Sequence, residues 1–241
     1  MFEKVTKKSA IGLTLIAVCY ALSLVSWGIS FAIRDQYADP ALAATQPNPL
    51  ATVVGCLTPL LALAQLIGII LMVVDGKATG QPHRKLTWVG LILFILSGIM
   101  TIGIIPLSYS SVMSGDTGTY SLMTWVGAAI GILGSIAPVV LVFAISSPLL
   151  RVGLGLAVVL NAVNSLGSMF LTLSNLKMKE MVINGVRMYI PETSVLMGPT
   201  ATALSICQGV GSLIFAVVFV LLMVKAWQFA RQNEVPNESV A

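Results

Sequence analysis

Residues 121–173 read SLMTWVGAAIGILGSIAPVVLVFAISSPLLRVGLGLAVVLNAVNSLGSMFLTL, and Arg151 is the one charge among them. Drawn as one helix at about 1.5 Å per residue, the stretch would be roughly 80 Å long, against a bilayer core of about 30 Å. It must therefore fold back on itself. Ser146-Ser147-Pro148 interrupts the helical pattern, because proline removes a backbone donor and clashes with the preceding turn. Arg151 reaches the interface from there along its aliphatic stem. The expectation is a tight hairpin of two membrane spans, 121–146 and 150–173.

The same pattern extends outward. No Asp, Glu, Lys, Arg or His occurs in 9–33, 51–74, 86–108 or 193–224. Four further spans are expected at 10–33, 50–74, 86–107 and 198–227. Pro106 closes the third, and a Ser- and Gly-rich loop follows over 108–120. Apolar residues make up 57% and charged residues 9% of the chain, outside the range of water-soluble domains. The fold class is thus an all-α integral membrane protein: a single six-span bundle over 1–227 with a short polar tail, 228–241. Lys4, Lys7 and Lys8 precede the first apolar run like a signal peptide, and Ser30-Phe31-Ala32 resembles a cleavage site. That run exceeds the roughly 7–15 residues of a signal core, so it is expected to remain as a span.

Orientation follows from Lys and Arg. With the N-terminus inside, the inner segments hold Lys4, Lys7, Lys8, Lys77, Arg84, Lys85, Arg151, Lys225 and Arg231. The outer segments hold Arg34, Lys177, Lys179 and Arg187. Positive charge favours the cytoplasmic side, so both termini are expected there, in a bacterial-type plasma membrane. Trp27 and Trp125 then fall near the outer interface, and Trp88 and Trp227 near the inner one.

Charge-free spans remove most chemistry. Proton relays, haem ligation and intramembrane proteolysis need ionisable groups in the bundle. The expectation is no enzyme, no cofactor and no metal site. Cys19, Cys56 and Cys207 lie inside apolar runs and read as small buried hydrophobes. The basic residues are spread over span ends, which argues against a nucleic-acid partner. His83-Arg84-Lys85 reads as a contact with lipid headgroups.

Three features remain as candidate sites. In span 5, Asn161, Asn164, Ser165, Ser168 and Thr172 share one helix face, and Gln208 and Gln65 are expected at similar depth on spans 6 and 2. Such a face is either a path for a neutral or weakly polar solute or interhelical hydrogen bonding. Gly127 and Gly131 form a GxxxG seam, internal or toward another subunit. Between spans 5 and 6, Asn184-Gly185 predicts a two-residue turn and an extracytoplasmic β-hairpin over 179–190. Its register gathers Met181, Ile183, Val186, Met188 and Ile190 on one face, a candidate docking surface for a partner protein. The leading expectation is a non-catalytic subunit or scaffold of a larger membrane complex, surrounded by membrane lipids. The alternative is a small permease or channel for a neutral solute.

Overall fold

The computed structural model describes residues 6–34, 48–79, 84–143, 145–183, 185–191 and 198–234. His83, Asn184, the side chains of Ile183 and Ile190, and residues 235–241 lie outside the described residues. Six helices are long and apolar enough to cross a bilayer: α1 (Lys7–Ala32), α2 (Pro49–Thr79), α3 (Arg84–Ser114), α4 (Thr117–Val142), α5 (Pro148–Ser174) and α6 (Pro199–Glu234). They form an all-α bundle in which each helix packs on its neighbours in chain order, and α6 returns to α1. The α2–α3 contact is the thinnest of the six. α1, α2 and α6 meet at one end, where the N-terminus of α1 and the C-terminus of α6 lie together. The α3–α4 turn and the β-hairpin lie at the opposite end.

The hydrophobic core is concentrated toward the end that carries the termini. Leu13 and Ile16 of α1, Ile69 and Met72 of α2, Leu141 of α4, Leu154 of α5, and Phe219 and Leu222 of α6 are buried together there. Toward the hairpin end the helices separate, and residues such as Ile102, 69% exposed, and Phe170, 61% exposed, turn outward as an apolar surface suited to lipid.

Between α4 and α5 the chain reverses at Ser146-Ser147-Pro148. Ser147 stands at the N-cap position and Pro148 at the first helical residue, where its missing N–H costs nothing. Arg151 folds back over this turn. Its Nε donates to the Phe143 carbonyl at 3.0 Å, and its guanidinium lies 4.6 Å from the Phe143 ring centroid. The cation is thus held at the helix ends instead of entering the apolar bundle.

Two stretches are more helical than their sequence suggests. The polar segment 108–120 is a loop only at Gly115 and Asp116; α3 runs through Pro106 to Ser114. Ser108 and Ser114 donate to the carbonyls of Ile104 and Ser110, so their hydroxyls are satisfied on the helix itself. Asp116 then caps α4. Its carboxylate accepts from Thr119 Oγ1 and from the Gly118 and Thr119 N–H groups, and these bonds hold its pKa below the usual carboxylate value. Likewise α6 continues past 227 to Glu234, into the expected tail.

The β-hairpin pairs β1 (Met178–Ile183) with β2 (Val186–Pro191), with Ile183 opposite Val186 and Met181 opposite Met188. Gly185 has φ 80°, as a tight turn of this kind requires. The hairpin touches its own chain at Tyr189, which lies on the face opposite Met181 and Met188. The Tyr189 ring lies over Gly115, which has φ 68°. A Cβ at Gly115 would sit 2.8 Å from that ring and in a backbone region that L-residues avoid. Gly115→Ala is expected to cost about 2 kcal/mol. It should also release the hairpin, read as faster tryptic cleavage at Lys179 and Arg187. Cleavage at the wild-type rate would contradict this docking.

Candidate functional site

A cleft of about 560 Å³ lies between α1, α2 and α6 toward the hairpin end. α1 contributes Ser23, Ser26 and Ser30, spaced one helical turn apart along a single face. α2 faces them with Thr58 and Gln65, and α6 with Ser205 and Gln208. Val54, Leu61 and Ala62 form an apolar strip beside these groups.

Through Gln65 the cleft borders an aromatic cluster. Gln65 Nε2 donates to the Tyr20 hydroxyl at 3.2 Å. Tyr20 stacks on Phe219 with centroids 4.8 Å apart and on Phe215 at 5.3 Å. Beyond these rings, toward the termini, comes the close-packed core of Leu13, Ile16, Ile69, Met72 and Leu222. Toward the termini the cleft thus ends at this packed core.

At the mouth, Arg34 Nη1 donates to Thr202 Oγ1 at 2.9 Å, and the guanidinium lies 5.0 Å from the Phe31 centroid. Phe31 in turn stacks on Trp27 at 5.4 Å. Trp27 lies flat against Gly209 of α6, where any Cβ would overlap the indole. Its indole N–H is buried and has no hydrogen-bond partner among the described residues.

The polar groups singled out from sequence divide among three places. Gln65 and Gln208 line this cleft. Asn161 instead meets α6 at Gly211, where a Cβ would lie 3.1 Å from its amide nitrogen. Ser165 and Ser168 belong to a second cleft of about 420 Å³ between α3, α4 and α5, together with Thr124 and Thr172. Within α5, Ser168 lies 3.5 Å from the Asn164 amide oxygen. The division has a simple cause: α5 sits between α4 and α6, so one stripe looks into two interfaces.

The GxxxG seam is used inside the chain. Gly131 admits the Ser165 hydroxyl against its backbone, and a Cβ at Gly127 would lie 3.8 Å from Ile104 of α3. On the hairpin, Met181 and Met188 are half-buried, whereas Val186 is exposed. Cys19, Cys56 and Cys207 are free thiols, and only Cys19 is fully buried.

Two features of the structure have no counterpart in the sequence reading. The first is the α1 serine face, although Ser23, Ser26 and Ser30 repeat the spacing used to recognise the α5 stripe. The second is Asp75, a carboxylate only 1% exposed at the terminal end of α2. It accepts hydrogen bonds from the Thr6 and Ser9 hydroxyls of α1. A charge bordering an apolar run reads as solvated, and nothing in the sequence marks it as enclosed.

No family model, curated protein or solved structure matches the chain.

Proposed function

We propose that this chain is a non-catalytic multi-pass membrane protein that admits a neutral or weakly polar solute to the α1–α2–α6 cleft, as a small permease or channel does. The supporting observation is a cleft of about 560 Å³ lined by Ser23, Ser26, Ser30, Ser205, Gln65 and Gln208, beside the stacked rings of Tyr20, Phe215 and Phe219. Pockets of about 300–1,000 Å³ with a few convergent polar groups are the usual form of small-molecule sites. A solute held there would cross by rearrangement of these neighbouring rings. On the Lys/Arg distribution, the hairpin end faces outward and both termini lie in the cytoplasm of a bacterial-type cell.

The subunit or scaffold reading draws on the hairpin, where Val182 is 64% and Val186 47% exposed. It ranks second because the hairpin already rests on its own chain through Tyr189.

Cysteine labelling in a background lacking the three native cysteines tests the proposal. Cysteines replacing Ser26 and Thr58 are expected to react with a membrane-impermeant maleimide added on the side that labels Lys179→Cys. Arg231→Cys should react only from the other side. Cysteines at Leu13 and Phe219 should react from neither. A Ser26 cysteine silent from the hairpin side would refute an open cleft, and same-side labelling of 179 and 231 would refute the six-span arrangement.

A further inference from the structure

We infer that the α1–α2–α6 cleft binds an uncharged polyhydroxylated solute of the polyol and sugar class, an inference that rests on the reading of this cleft as an open solute site. What carries it is the state of the cleft hydroxyls. Several hydroxyls in these apolar helices are satisfied on their own backbone: Thr14 donates to the Ala10 carbonyl, Thr101 to Ser97, Thr124 to Tyr120 and, in the cleft, Thr58 to Val54. That is the expected behaviour where no water is at hand. Ser23, Ser26, Ser30 and Ser205 depart from it. They line the cleft, yet none of the four hydroxyls donates to or accepts from another described residue. They are not shut away either, since none is among the buried polar atoms that lack partners. Each presents one donor and two acceptor lone pairs to the cleft.

Such a lining matches a ligand whose own groups both donate and accept. Hydroxyls do this, whereas a carboxylate only accepts and an ammonium only donates. The two amides extend the match. Gln65 spends one N–H on Tyr20 and keeps its carbonyl oxygen, while Gln208 is exposed to the cleft and makes no hydrogen bond to a described residue. Among the described residues no carboxylate lines the cleft, so an ammonium would meet no counter-charge from them. Arg34, the one charged lining residue among the described ones, is at the mouth and is held by Thr202 and Phe31. An anion drawn deeper would meet only neutral groups within the apolar bundle, where an ion is costly. Val54, Leu61 and Ala62 supply contact for the carbon skeleton.

The test uses the full chain in sealed proteoliposomes and three probes of similar size and different charge: sorbitol, gluconate and glucosamine. Sorbitol is expected to enter at least tenfold faster than into protein-free vesicles, and the other two at the protein-free rate. The double variant Ser26→Ala/Ser30→Ala removes two hydroxyls by the smallest available change. It should slow sorbitol entry about tenfold, as the loss of two hydrogen bonds implies, with the melting temperature unchanged. Gluconate or glucosamine entering as fast as sorbitol would overturn the solute class and leave the cleft reading intact. Sorbitol entry indifferent to the double variant would overturn the assignment to these serines. No sorbitol entry, with Ser26→Cys still labelled from the hairpin side, would likewise overturn the class alone. No entry and no labelling would overturn the class and the open cleft together.

Discussion

Gly68→Val should lower the stability of the bundle by about 3 kcal/mol, at the upper end of the cost of overfilling a packed interface. At this crossing α1 and α2 touch backbone to backbone. A Cβ on Gly68 would lie 2.7 Å from the Gly12 carbonyl oxygen and 2.9 Å from Ile16 Cγ1. The reciprocal Cβ on Gly12 would lie 2.6 Å from the Gly68 oxygen. Neither oxygen is the free end of a flexible side chain, so the helices must part. Parting costs dispersion contacts over the whole seam, because small residues are what let apolar helices approach closely. The cleft shares these two helices, so solute entry should fall together with stability. Gly98→Ala in α3 is the matched control. Nothing lies within 4 Å of its Cβ position, and alanine favours helix over glycine by up to about 1 kcal/mol. Thermal unfolding in detergent should therefore move in opposite directions for the two variants. A Gly68→Val protein as stable as wild type would show that α1 and α2 do not cross here.

Asp75→Ala should cost about 3 kcal/mol and loosen the first turns of α1. The carboxylate accepts from Thr6 Oγ1 at 2.5 Å, from the Ser9 hydroxyl, and from the Thr6 N–H at 3.4 Å. Thr6 is also the N-cap of α1, its hydroxyl oxygen accepting from the Lys8 N–H at 3.3 Å. A negative charge at this position complements the helix dipole, and it fastens the start of α1 to the end of α2. Removing it leaves donors in an enclosed site, each costing about 1–3 kcal/mol when unsatisfied. Asp75→Asn should lose about half as much. It keeps one acceptor oxygen but turns an amide donor toward hydroxyls that also donate. Hydrogen exchange of the amides of residues 10–16 is the direct measurement. Protection equal to wild type in Asp75→Ala would show that the clasp does not hold α1.

Much of this architecture is legible in the sequence, because a bilayer leaves few alternatives. A run of apolar residues without charge has to be a helix there, since every backbone group must find its partner within the segment. A run twice the length of a span has to turn. That reasoning places the break at Ser146-Ser147-Pro148 and six helices in the chain. The hairpin register follows from Asn184-Gly185 alone, because a two-residue turn leaves only one pairing. Helix ends are less legible. The segment 108–114 reads as loop, yet it extends α3, with Ser108 and Ser114 bonding their own backbone.

What only the tertiary structure decided is which faces meet. The α1 serines and the α5 stripe have the same periodicity, and periodicity says that residues share a face without saying what that face looks at. Packing order sends Asn161 to Gly211 and Ser165 to Gly131, while Ser23, Ser26 and Ser30 look across a gap at Gln65 and Gln208. Burial of Asp75 is likewise a property of two helix ends far apart in sequence. The helices are local and follow from solvent and composition; the cleft, the clasp and the glycine crossing are relations between distant segments, and only the folded chain brings those segments together.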